Sequence, residues 1–379
     1  MKNKSGLRAT IVLLACFVCA VSLPQKPFAA AEGLRDARPF RLGFTRWPPE
    51  LSLEGIRQVD RFIDRHADLV SIMFIGGVPW PEALAAKPFS QDVRNNLSYR
   101  PPEDYEVFLS ISPLDQERKK LAPYWGEKDN QPLPVEWAGR GFDDPEVAEA
   151  FTNFVLRSVK ALEPDYLAIG IESNVLLSHD REAWGHYKEF HREVYKAVKK
   201  AHPALPVCFT TEINHYLKRA SDAHGSPQEE EVAELMAYSD IFAMSYYPHM
   251  SYDTPWPIPD DAFGFARKFE KPIAVSETGM SSREVNVFGL TLRGTQEDQQ
   301  QYYEVLLRSA LRDDYLFVVT FATIDFEKLA AQLPDQVRDL AMIWAYTGLQ
   351  TSAGGAKPAL DVWDRYLTLP LQQHDPSGK

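Results

Sequence analysis

From Pro39 onward, short runs in which nearly every position is apolar or β-branched alternate with longer stretches whose apolar residues recur every three to four positions. The first pattern suits a strand buried on both faces, the second a helix packed on one side. Runs at 40–44, 69–74, 105–111, 166–171, 206–210, 241–245, 272–276 and 316–321 predict eight strands. Stretches at 53–66, 145–162, 181–201, 227–237, 259–269, 296–312 and 336–344 predict helices between and after them. Two of these open on helix-start signals: Asp144-Pro145 with Glu146 behind it, and Ser226-Pro227 before a group of acidic residues. After the second strand the pattern is weakest, and the helix there is expected to be short or irregular.

Alternating βα units predict a parallel sheet, and eight largely apolar strands predict its closure: an α/β fold, a single (β/α)8 TIM barrel. The competing arrangement is an open doubly wound sheet. It lacks its phosphate fingerprint here, since Gly43-Phe44-Thr45-Arg46-Trp47 after the first strand has nothing of the G-x-G-x-x-G type. Neither a repeat nor a linker divides the chain, so the expected organisation is a leader at 1–31, one barrel domain at 32–370 and a polar tail at 371–379. The Pro-, Trp- and charge-rich stretch 112–141 is expected to be a long loop after the third strand, of the kind that walls a binding site.

Composition narrows the function classes. With 45% hydrophobic, 12% aromatic and 25% charged residues the chain has enough apolar material for a sizeable core. Its net charge of −12 argues against nucleic acid, which needs a basic face, and weighs slightly against a polyanionic substrate. Lys2, Lys4 and Arg8 precede an apolar run at 9–23, and small residues at 29–31 follow it. That is the layout of a cleaved export signal and too short for a membrane span, so a secreted or periplasmic protein is expected. Leu13-Leu14-Ala15-Cys16 loosely resembles a lipoprotein box, the alternative in which Cys16 would carry a lipid anchor. Of three cysteines only Cys208 lies beyond the leader, which leaves no partner for an intrachain disulfide in the mature chain.

In a barrel of this kind the chemistry stands where strands end and the following loops begin. The polar residues at those points are Thr45-Arg46-Trp47, Trp80, Ser112, Glu172-Ser173-Asn174, Glu212-Ile213-Asn214, Tyr246-Tyr247-Pro248-His249, Glu277-Thr278 and Thr323-Ile324-Asp325. Glu172 and Glu277 each follow an apolar run, where a carboxylate has no inexpensive place to sit. Either alone could be structural, Glu172 for instance as an ion-pair partner of Arg46. Together, at the ends of the fourth and seventh strands, they face each other across the mouth. Two carboxyl groups about 5–5.5 Å apart are what a retaining glycosidase needs, one as acid/base and one as nucleophile. Burial is expected to keep Glu172 protonated, and hydrogen bonds to keep Glu277 ionised.

The two glutamates resemble the catalytic pair of glycoside hydrolase clan A. Ile169-Gly170-Ile171-Glu172-Ser173-Asn174, Ser245-Tyr246-Tyr247-Pro248 and Ser276-Glu277-Thr278-Gly279 are most similar to family 53, the arabinogalactan endo-β-1,4-galactanases. Tyr346-Thr347-Gly348-Leu349 and Lys357-Pro358-Ala359-Leu360 resemble the closing segment of such barrels. The resemblance implies Glu172 as acid/base, Glu277 as nucleophile and Tyr246 as a hydrogen-bond donor to the nucleophile. It departs from the family where clan A carries Asn immediately before the acid/base, since Ile171 stands there. It departs again at the end of the eighth strand, where Phe321 or Phe326 is nearest to the expected Trp.

Other residues are expected to contact sugar. Arg46, Asn174, Glu212 and His249 could hydrogen-bond hydroxyls, and Trp47, Trp80 and Tyr247 could stack on a sugar face. Glu212 is also the second candidate for the acid. The remaining loop tryptophans, Trp125, Trp137 and Trp256, fit either a stacking platform or loop packing, and Trp184, Trp344 and Trp363 are expected in the core. No cluster has the spacing of a metal site, and neither cofactor nor metal is expected. The function expected is a retaining glycoside hydrolase acting on an oligo- or polysaccharide. A non-catalytic glycan-binding barrel is the alternative, and a metal-dependent esterase is disfavoured.

Overall fold

The computed structural model describes residues 35–372. The leader at 1–31 with its Cys16, and the tail beyond 372, lie outside them. Nine parallel strand segments form the central sheet: β1 (Arg41–Thr45), β2 (Leu69–Phe74), β3 (Glu106–Ile111), β4 (Tyr166–Ala168), β5 (Val207–Cys208), β6 (Thr210–Glu212), β7 (Phe242–Tyr246), β8 (Ile273–Thr278) and β11 (Phe317–Thr320). Their order is β5-β4-β3-β2-β1-β11-β8-β7-β6. The two end segments are halves of one strand broken at Phe209, so the sheet comes back to itself as an eight-stave barrel. Thr210 N–H to Gly170 O at 2.9 Å carries the bonding past the break.

Alternation of side chains sorts each stave into an inner and an outer set. The inner set at the barrel's lower end is apolar: Leu69, Phe108, Ala168, Cys208, Ala243, Ala274, Phe317 and Val319 are buried together. Phe317 packs 4.8 Å from both Phe108 and Tyr166. Two residues further along several staves stand Ser71, Ser110, Thr210 and Ser245, all buried. The interior therefore changes from apolar to polar toward the strand exits, and the mouth is where buried polar groups collect.

The outer layer follows the predicted helices closely where a cap fixes the start. Leu53–His66 is capped by Ser52, Pro145–Leu162 by Asp144, Arg181–Ala201 by Asp180 and Gln296–Arg312 by Thr295. The predicted helix at 259–269 is instead a 3-10 turn over Gly264–Phe269. Pro259 and the flexible Gly264 leave too little helix-forming sequence. Two short helices, Trp80–Leu84 and Gln91–Leu97, follow β2. A hairpin of β9 (Val285–Val287) and β10 (Leu290–Leu292), unforeseen in the sequence, is inserted after β8. The barrel's last outer helix is Pro358–Leu367, whose Trp363 packs 4.8 Å from Phe44 and donates to His66 O at 2.7 Å. Among the described residues no helix is long and apolar enough to cross a membrane.

Candidate active site

The chain beyond β4 delivers Glu172 into the mouth by a tight bend. A side chain on Gly170 would stand 2.3 Å from Tyr187 Oη and 2.4 Å from Ser173 Oγ, so only glycine fits there. Glu172 itself adopts the left-handed conformation, φ 51°, and its N–H donates to Thr210 Oγ1 at 2.8 Å. A non-glycine residue in this region is held by its surroundings, a recurrent feature of functional sites. Two donors meet the carboxylate: Arg118 Nη2 at 2.8 Å from Oε2 and Ser245 Oγ at 2.7 Å from Oε1. Arg118 also donates through Nε to Ile171 O at 3.1 Å, gripping the backbone just before Glu172.

Glu277 reaches the mouth because β8 slips register. Met244 pairs with Val275, but Ser245 pairs with Glu277, so one extra residue lies on β8, and the β8–β11 pairing shifts in the same stretch. Inward-facing Ala274 would otherwise put Ser276 inward; the irregularity turns Glu277 in and leaves Thr278 outward against Tyr302. Tyr247 Oη donates to Glu277 Oε1 at 2.5 Å. Burial, and then the charge of Glu172, push the Glu277 carboxyl up to about 7, against the pull of Tyr247 and Arg118. Tyr247 is itself pushed well above the usual tyrosine range by burial and by Glu277. The expected polarity is thus reversed. It is Glu172 that holds the charged donor, and Glu277 that burial pushes toward its protonated form.

Ser245 and Tyr247, two residues apart on one inward face, each hold one glutamate. Tyr246, expected to hold the nucleophile, points the other way. Its hydroxyl accepts from Arg219 Nη1 at 3.0 Å, and its ring packs 5.9 Å from Phe263. The period of two along the strand decides this. Asn174 is also turned away: it donates to Glu212 O at 3.0 Å and to Gln228 Oε1 at 2.9 Å in a buried network. Glu212 caps the next short helix, accepting from Asn214 and His215 backbone N–H at 3.1 and 2.7 Å and meeting His215 Nδ1 at 2.5 Å. Although burial opposes its charge, Glu212 and Asp222 raise His215 to about 9. The Glu212 carboxylate is thus engaged by His215 and by the helix start it caps.

His249 is buried, lowered to about 4 by that burial, and its Nε2 lies 3.1 Å from Ile343 O, packing edge-on against Tyr247 instead of facing sugar. Trp80 is fully buried, stacked 5.5 Å from Trp137, with its indole donating to Ala122 O; it is loop core. Arg46 forms a two-pronged pair with Asp60, at 2.6 and 2.8 Å, and lies 4.6 Å above Tyr99, so it does not pair with Glu172. At the last strand's exit Asp325 is buried against Lys357 at 2.6 Å.

Trp47 is half-buried, 5.3 Å from Phe321 and 5.9 Å from Phe326. It lines two adjoining cavities of about 470 and 500 Å³ that also share Met73, Ile75 and Asn96. Trp344, expected in the core, is half-buried and edge-on to Tyr247 at 5.9 Å. Arg118 and Ser245 were not singled out in the sequence. Ser245 was within reach by counting two residues on from inward-facing Ala243, whereas Arg118 sits in a loop without periodicity. Among the described residues no group of three or more His, Cys, Asp or Glu is placed to hold a metal ion.

The model of glycosyl hydrolase family 53 matches residues 122–309, just under half of the chain. No curated protein matches it. Among solved structures, GH5_18 from Streptomyces cattleya in complex with GlcNAc superposes with a TM-score of 0.57 at 15% identity, over 89% of this chain and 83% of that one. A GH5_18 protein from Bifidobacterium longum subsp. longum in complex with Manb1-4GlcNAc gives 0.58 at 14% identity, over 88% and 80%. An exo-beta-1,4-mannosidase from an Opitutaceae bacterium gives 0.55 at 14% identity; there the match covers 87% of this chain but 59% of the other. At such identities the structures speak for the barrel fold, and the family match speaks for the chemistry. The chain is therefore an O-glycoside hydrolase on a (β/α)8 barrel, similar over residues 122–309 to glycosyl hydrolase family 53.

Proposed function

We propose that the protein is a retaining glycoside hydrolase of oligo- or polysaccharides, with Glu277 as nucleophile and Glu172 as acid/base. The observation that carries this reading is that Ser245 on β7 holds Glu172, while Tyr247, two residues further on just past the end of β7, holds Glu277. The two carboxyl groups are thereby fixed at adjoining points of one polar mouth. In the reaction the ionised Glu277 oxygen bonds to the anomeric carbon as the glycosidic C–O bond breaks. Glu172 gives its proton to the departing oxygen, then takes one from the water that releases the sugar. Tyr247 is placed to hold the attacking carboxylate. The cavities beside Trp47, whose linings do not include Glu172 or Glu277, offer an apolar wall in Trp47, Met73 and Ile75 and an amide in Asn96.

Action outside the cytoplasm is part of the proposal and rests on the leader-like residues 1–31. A glycan-binding barrel without turnover is the second reading. It is favoured by Ile171 in place of the clan's Asn and by Asn174 being committed elsewhere. Incubation with a glycan panel, followed by proton NMR of the first-formed anomer, separates the readings. Retained configuration is expected; inverted product rejects the nucleophile role, and binding without any product favours the second reading.

A further inference from the structure

Away from the mouth, a cavity of about 310 Å³ lies between the helix Leu53–His66 and the segment 350–354 that follows the last strand. Gln58, Arg61 and Arg65 line it from the helix, and Thr351, Ser352 and Ala353 from the segment. Glu172, Glu277 and Trp47 take no part in it. In a chain of net charge −12, no described residue of this lining is Asp or Glu. Three carboxylates bond to lining residues without lining the cavity themselves. Glu54 accepts from Arg61 at 2.6 Å, Asp364 meets His66 Nδ1 at 2.8 Å, and Glu327 accepts from Ser352.

The arginines stand at 57, 61 and 65, a spacing that stacks like charges along one stripe and by itself disfavours the helix. Glu54 relieves the first two, at 3.5 Å from Arg57 and 2.6 Å from Arg61. Arg65 has neither acceptor nor ion-pair partner among the described residues. The helix end favours a cation in its last turn, but it does not account for two guanidinium groups on one cavity. The Arg61–Glu54 pair is exposed on both sides and therefore weak, and it uses one of several guanidinium N–H donors. Gln58 adds a side-chain amide with no partner among the described residues. Across the cavity Gly354 N–H closes a turn onto Thr351 O at 2.9 Å, whereas the N–H groups of Ser352 and Ala353 find no acceptor among the described residues.

We propose that this cavity is a binding site for a tetrahedral oxyanion, a phosphate or sulfate, either free or as the ester of one sugar unit. Guanidinium groups suit it because their forked N–H donors match paired oxygens of such an anion. A lining without carboxylates gives the cavity a positive field against the charge of the whole chain. Its volume stands at the lower end for small-molecule pockets, which fits a single sugar and not a chain. The site is separate from the two glutamates and does not depend on their catalytic roles.

Equilibrium dialysis of the full chain against radiolabelled inorganic phosphate, at fixed ionic strength, tests the site without any glycan. One phosphate per chain should bind saturably, with sulfate competing and chloride not. R65A should weaken binding about tenfold or more, the change expected for losing one charge-assisted hydrogen bond, and R61A/R65A should remove it. R57A takes a cation from the same helix stripe but outside the cavity, so it should bind as the wild type does. All three arginines are exposed, and circular dichroism should show every variant folded. Competition by galactose 6-phosphate and galactose 6-sulfate distinguishes the sources. Displacement at about tenfold lower concentration than the inorganic ion assigns the site to an ester, and equal or weaker displacement assigns it to the free ion.

Absence of saturable binding up to about 10 mM phosphate overturns the site. So does a folded R61A/R65A that binds as tightly as the wild type, or an R57A that loses as much as R65A. None of these results bears on Glu172 and Glu277, so the hydrolase reading stands or falls on its own assay.

Discussion

Replacing Glu277 by Gln should stabilise the protein at alkaline pH while disabling it. The carboxyl is raised to about 7 from 4.5, chiefly by burial. An acid whose folded value lies above its unfolded one stabilises the fold at low pH, where both states are protonated alike, and that stability is lost as pH rises. Here the loss begins near pH 4.5 and is complete a little above pH 7. At roughly 1.36 kcal/mol per unit it amounts to about 3 kcal/mol by pH 8. Gln keeps the Tyr247 hydrogen bond to its carbonyl oxygen but brings an amide N–H₂ with no evident acceptor, which costs about 1 kcal/mol at every pH. E277Q should therefore be about 2 kcal/mol more stable than wild type at pH 8 and equal to it or weaker at pH 4.5. Urea unfolding of both proteins at the two pH values measures this. A stability difference that does not change between pH 4.5 and 8, whatever its sign, refutes the reasoning, because the pH dependence is the signature of the raised carboxyl.

Three further outcomes follow from the same geometry. Y247F removes the donor that draws Glu277 downward, so the acid-side limb of kcat/KM should move up by about one unit, measured on an aryl glycoside that the wild type cleaves. G170A places a methyl against Tyr187 and Ser173 and should cost about 1–3 kcal/mol in urea unfolding. K357M strands Asp325 in the interior and should cost about 3 kcal/mol at pH 8. Because burial raises Asp325 to about 6, the penalty should shrink at pH 5, where the carboxyl takes up a proton.

The fold was legible because its signals are local. The helices at 53–66, 145–162, 181–201 and 296–312 each join an amphipathic period to a capping side chain, and they begin and end where the pattern does. The two glutamates were legible as polar residues ending apolar runs. Which neighbours face them was not, because facing depends on phase. Tyr246 and Tyr247 are adjacent in sequence, and only the inward setting of Ser245 selects the second. Glu277 faces inward through a register slip that no run of residues announces. Asn174, Glu212 and His249 stand at strand exits as predicted, but Asn174 is bonded to Glu212 O and Gln228, Glu212 caps the next short helix, and His249 turns its Nε2 to Ile343 O. Arg118 lies in a thirty-residue stretch whose course is set by tertiary bridges, so nothing local marks it as the partner of Glu172.

The measurement that tests the central claim most directly compares E172Q and E277Q across aryl glycosides of graded leaving-group ability, with and without azide. The account predicts that E277Q loses turnover on all of them. E172Q should keep activity on the best leaving groups, which need no proton, and gain from azide as a substitute nucleophile on the second step. Equal losses in both variants without leaving-group dependence, or full activity in both, would contradict it.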